Sequence, residues 1–109
     1  MLEKKAKGLV KHVGFSFHDK AEVLDKILTR HPEMEYVQLQ LNYADWEDSE
    51  VQSRKCYEVC RRHNKPVLVM EPVKGGNLVN LHKDAAAVQE SLHGCSQASY
   101  ANRFAAGFP

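Results

Sequence analysis

Val37-Gln38-Leu39-Gln40-Leu41-Asn42-Tyr43 decides the fold. In an extended chain successive side chains point to opposite faces, so Val37, Leu39 and Leu41 share one side and Gln38, Gln40 and Asn42 the other. An antiparallel strand can turn such a polar row to water. A parallel strand covered by helices cannot, because buried polar groups without partners cost free energy. A barrel removes the conflict. Its strands pack their apolar side on surrounding helices and their polar side into the interior, close to the carboxyl ends where active sites of that fold lie.

The sequence on either side supplies the helices. Upstream, Asp19 followed by Glu22 reads as a capping box, and Val23, Leu24, Ile27 and Leu28 form an apolar stripe at helical spacing. His31 precedes Pro32, which pushes it out of helical geometry and ends that helix. Before it, His12 to His18 reads as another alternating strand, with Val13, Phe15 and Phe17 opposing His12, Gly14, Ser16 and His18. Leu2 to Lys7 reads as the last turns of a helix capped by Gly8. Downstream, Tyr43 to Asp48 is a loop, and Ser49 with Gln52 is a second capping-box signature before a helix reaching about Asn64. Pro66 to Glu71 is a continuous apolar run, as in a strand covered on both faces. Pro72-Val73-Lys74-Gly75-Gly76 breaks it, and two helices follow, about Lys83–Leu92 ending at Gly94 and Ser96 to about Ala106.

Strand, helix, strand, helix, strand is the order of an α/β protein with parallel strands joined by helical crossovers. The βαβαβ core plus flanking helices fits a doubly wound sheet or a partial (β/α)8 TIM barrel, and the polar strand faces favour the barrel. No Ser/Gly linker or low-complexity tract divides the 109 residues, so residues 1–109 read as one partial barrel domain.

Composition excludes several functions. The formal net charge is +1, with 27% charged and 43% hydrophobic residues, which gives no electrostatic footprint for a nucleic acid or an acidic membrane. The basic group Lys4, Lys5, Lys7 and Lys11 is interrupted by apolar residues and reads as a solvated helix end. No stretch approaches the length of a membrane span, the start lacks a secretory leader, and three cysteines is an odd count; the expected setting is reduced and cytoplasmic. Cys56, Cys60 and His63 stand at i, i+4 and i+7, but no fourth ligand accompanies them. Cys56, Tyr57 and Cys60 read instead as the buried stripe of the second crossover helix, and no metal site is expected. Phe15-Ser16-Phe17 lacks the glycines of a nucleophile elbow, so a Ser-His-Asp hydrolase is excluded.

Three segments carry a family resemblance. His12-Val13-Gly14-Phe15-Ser16-Phe17-His18, Val37 to Tyr43, and Val69-Met70-Glu71-Pro72-Val73-Lys74-Gly75-Gly76 resemble the fifth, sixth and seventh strands of the aldo/keto reductases. The similarity is greatest to a branch whose members often add a C-terminal iron–sulfur segment. Ser99 to Pro109 resembles the helix before the eighth strand of that branch.

The resemblance implies an oxidoreductase barrel that reduces aldehydes and ketones with NADP(H), or with NAD(H). Ser16 takes the place of the family serine that hydrogen-bonds the nicotinamide carboxamide, and Gln38 that of the family glutamine; hydroxyl and amide supply the donors and acceptors a neutral amide needs. Met70 stands where many members stack an aromatic ring on the nicotinamide, a contact a thioether makes softly. Glu71, Val73, Lys74, Gly75 and Gly76 correspond to the loop along the cofactor pyrophosphate, with Lys74 as a charge partner. Phe17 replaces an Asn common in the family, Cys95 and Gln97 replace Gly and Pro, and Asn102 replaces an apolar residue.

The family's catalytic tyrosine, lysine, aspartate and histidine all precede its fifth strand, and none of Tyr36, Tyr43, Tyr57 or Tyr100 lies in the matching motif. A barrel takes about 250 residues. The expectation is therefore an internal fragment lacking strands 1–4 and 8, with no catalytic residue of its own. A 4Fe-4S cluster would belong only to a further C-terminal segment. The partners expected for the parent are a nicotinamide cofactor and a small carbonyl substrate, with self-association of the fragment through its strand edges. The competing expectation is a non-catalytic half-barrel that docks with another chain or dimerises.

Overall fold

A computed structural model describes residues 1–109, the side chain of His93 excepted. The elements run α1 (Leu2–Ala6), β1 (Gly14–Phe17), α2 (Ala21–Arg30), β2 (Tyr36–Gln40), α3 (Ser53–Arg62), β3 (Val67–Met70), a short 3-10 segment (Lys74–Val79), α4 (Lys83–His93) and α5 (Gln97–Ala106). The three strands form one parallel sheet in the order β1-β2-β3. This is the α/β architecture of a partial (β/α)8 barrel, with α2 and α3 as the crossovers.

Alternation along β2 places the core. Val37, Leu39 and the following Leu41 are buried, and Phe17, Leu24, Leu28, Cys56, Val59 and Cys60 close over Val37 and Leu39 from β1, α2 and α3. Full burial of a leucine contributes about 1.5–3 kcal/mol, so Leu24, Leu28 and Leu39 fix how the helices sit on the sheet. Burial pushes the Cys56 thiol up to about 11 and the Cys60 thiol up to about 12. His63 turns the other way, its Nε2 2.8 Å from Asp25 Oδ1 on α2. Among the described residues no three His, Cys, Asp or Glu side chains are grouped to hold a metal ion.

Close approach of β1 and β2 depends on Gly14. A Cβ there would lie 2.4 Å from the Tyr36 carbonyl oxygen and 2.6 Å from the Tyr36 ring, and no side chain survives such a separation beside backbone.

Several expected boundaries shift. The strands are shorter than their alternating segments, because pairing stops at Gln40 although Leu41 N still donates to Met70 O at 3.1 Å. Neither capping box forms. Lys20 is the N-cap of α2, and Asp19 Oδ1 bonds its backbone N at 2.7 Å instead of a helix amide. Residue 23 faces outward, and Ala21 takes its place in the buried stripe. The second box fails because Asp48, not Ser49, organises the turn, its Oδ1 accepting from Glu50 N and Val51 N at 2.8 Å each. The helix then starts three residues late, behind Gln52 in the left-handed conformation. Gln52 Oε1 accepts from Ala21 N at 3.1 Å, so a residue at the start of α3 satisfies the first amide of α2. Ser96 does cap α5, accepting from Ser99 N at 3.2 Å.

β3 is not covered on both faces. Leu68 is 53% exposed, and Val67, Val69 and Met70 are only half-buried. The strand lies at the sheet edge, helices cover one side of the sheet, and Leu68 points to the other.

An aromatic cluster fastens the C-terminal helix. Trp46 in the loop after β2 lies 4.6 Å from Phe108 and 5.9 Å from Phe104 between ring centroids, and Tyr43 meets Tyr100 at 5.4 Å. The molecule is elongated, with principal extents of 52 × 29 × 21 Å. No helix among the described residues is long and apolar enough to cross a membrane.

Candidate functional site

The polar face of the sheet divides into two groups. The first follows from register. Ser16 of β1 stands opposite Gln38 of β2, and parallel partners point to the same side. Ser16 Oγ donates to Gln38 Oε1 at 3.1 Å. Ser16 is exposed and Gln38 half-buried. With the serine proton committed, the pair presents the Ser16 oxygen as acceptor and the Gln38 amide nitrogen as donor to the open side. That is one donor and one acceptor, the complement of a carboxamide.

The second group lies past the strand ends and centres on a residue whose role the sequence did not announce. Asp45 is completely buried. Its Oδ2 accepts from Gln40 Nε2 at 2.6 Å and from Asn42 Nδ2 at 2.7 Å, and its Oδ1 pairs with Lys74 Nζ. Its backbone N donates back to Asn42 Oδ1 at 2.9 Å. Gln38, Gln40 and Asn42 therefore do not bond to one another; the last two converge on Asp45. Burial raises the Asp45 carboxyl, but its bonds to Lys74, Gln40 and Asn42 outweigh burial and leave it below the ordinary carboxylate range. The signal available in the sequence was an Asn three residues before an Asp, the spacing at which a capping Asn side chain accepts from a backbone amide.

The loop after β3 meets this group. Met70 stands opposite Gln40 on the polar side. Glu71 and Lys74 take positive φ of 56° and 51°, a region that costs a residue with a side chain on the order of 1 kcal/mol. Gly75 and Gly76 follow at 58° and 93°, where glycine is free of that cost. The segment is compact, with Lys74 N bonded to Glu71 O at 3.0 Å and both Gly76 N and Leu78 N to Val73 O at 3.1 Å. Asn42 Nδ2 also donates to Glu71 O at 3.0 Å.

The structure thus brings Ser16 to Gln38, and Lys74 with Glu71 to the Asn42–Asp45 turn. Val73 is half-buried at the head of the 3-10 segment. Phe17 is in the core, and His18 is exposed at the end of β1.

A family model described as the Aldo/keto reductase family matches residues 1–105. No curated protein and no solved structure matches the chain.

Proposed function

The chain belongs to the aldo/keto reductase family, and from that premise we propose that it supplies the nicotinamide-facing part of a larger barrel that reduces aldehydes or ketones with NADP(H), or with NAD(H). The observation that carries the reading is the Ser16–Gln38 pair, hydrogen-bonded at 3.1 Å on the uncovered side of the sheet. Ser16 offers an acceptor and Gln38 a donor, so together they would hold the carboxamide and fix which face of the ring meets the substrate. When bound, the cofactor supplies the hydride. Met70 would pack against the ring, and Glu71, Val73, Lys74, Gly75 and Gly76 would carry backbone along the pyrophosphate, with Lys74, anchored on Asp45, as its charge partner.

On this reading the chain brings no group to protonate the developing alkoxide. Tyr43 and Tyr57 sit in the aromatic cluster with Trp46 and Phe104, and burial raises the Tyr43 hydroxyl above its ordinary range. The proton donor would come from preceding strands of the same barrel, and the 109 residues would be an internal segment spanning strands five to seven.

Two measurements test this. The purified chain should show no NADPH-dependent turnover of a simple aldehyde, and turnover would overturn the segment reading. In the complete barrel carrying this segment, Gln38→Ala should weaken NADP+ binding about tenfold, the loss of one to two good hydrogen bonds. Unchanged affinity would remove Gln38 from the cofactor site.

A further inference from the structure

Two residues of the loop after β3 carry backbone strain, Glu71 and Lys74, both with side chains and both in the left-handed region. Each has its own anchor on the turn after β2. The Glu71 carbonyl accepts from Asn42 Nδ2 at 3.0 Å, and the Lys74 ammonium pairs with Asp45 Oδ1. The two anchors are one object, because Asn42 and Asp45 bond each other twice, side chain to side chain at 2.7 Å and side chain to backbone at 2.9 Å. Gln40 Nε2 ties it to the last residue of β2, and Ser53 Oγ, at the start of α3, donates to Gln40 O at 2.7 Å. A strained conformation persists only where its surroundings over-determine it.

We propose that Asp45 is a positioning residue, the clamp that holds the Glu71–Gly76 loop in its strained form so that its backbone and Lys74 are set before cofactor arrives. The inference rests on the reading of that loop given above. The clamp lowers the cost of binding, since a loop already ordered loses no further freedom when a ligand settles on it. It also orients Lys74. With one direction of the ammonium fixed by Asp45, its remaining hydrogens point away from the buried carboxylate, and its side chain is still 39% exposed.

The test is amide hydrogen exchange across the chain in Asp45→Asn, Lys74→Met and the double variant. Asparagine at 45 must turn an NH2 group toward either Lys74 or the two amide donors, so one side of the clamp is lost. Exchange at Lys74, Gly76 and Leu78 should rise at least tenfold in each single variant, while Leu41 and the amides of β2 keep their protection. The double variant should raise exchange by less than the product of the two single rises, because both changes weaken the same Lys74–Asp45 ion pair. Unchanged exchange in the loop overturns the proposal, as does a uniform rise across sheet and loop, which is what plain destabilisation produces. Failure of the cofactor reading has a different signature: NADP+ affinity indifferent to Gln38→Ala.

Discussion

At the scale of single residues, Glu35 shows how much one half-buried carboxylate can organise. It precedes β2, accepts from Val13 N at 2.8 Å, pairs with Lys5 Nζ at 2.5 Å, and approaches His12 Nδ1 at 3.1 Å. Lys5, then the Val13 amide, then His12 pull its carboxyl from 4.5 down to about 2. A folded-state pKa below the unfolded one means the contribution is present above pH 4.5 and is lost as pH falls through about 2. Glu35→Gln should therefore lower the urea midpoint at neutral pH and flatten its decline between pH 5 and pH 2. Identical slopes in the two proteins would show that Glu35 keeps its ordinary acidity. Asp25 and Asp45 are lowered as well, so the slope should shrink and not vanish.

Among elements, the pairing of β1 with β2 is the most sensitive to a small change. Gly14→Ala would place a methyl against the Tyr36 carbonyl and ring. It should cost about 1–3 kcal/mol, the range for overfilling a packed site, read as a lower urea midpoint with an unchanged slope. An undiminished midpoint would mean that β1 moves away at no cost. The elements themselves were legible in the sequence. Alternation in Val37–Leu41 gave the buried face, and the residues separating the strands gave crossovers long enough for a parallel sheet. Caps were less legible, because several nearby polar residues compete for each orphan amide. Asp48 outcompeted Ser49, and Gln52 served a neighbouring helix instead of its own. The site was half legible. Ser16 and Gln38 stood in matching strand motifs, but that they face each other depends on register, which no single strand states. Asp45 was hidden because a buried acid in a loop looks like any polar loop residue until three donors from two segments converge on it.

For the molecule as a whole, surface is the dominant fact. The accessible area is 7142 Å², whereas a closed monomer of this mass should expose about 6,100 Å². The surplus, roughly 1,000 Å², is comparable to the ~800 Å² that one partner contributes to a standard interface. Leu68 at 53% exposure marks where part of it lies, beside the unpaired edge of β3. The isolated chain should therefore self-associate with rising concentration, and Leu68→Lys should oppose this by placing a charge on the edge strand. A mass fixed at 12.4 kDa at all concentrations would count against it. The method matters because of the 52 Å length. The radius of gyration is 16.4 Å, against about 13 Å for a compact chain of 100 residues. Such a particle meets more friction than a sphere of equal mass, so even a lone copy should elute early from a sizing column and pass for a dimer. Sedimentation equilibrium, in which friction cancels, is the measurement that tells length from association.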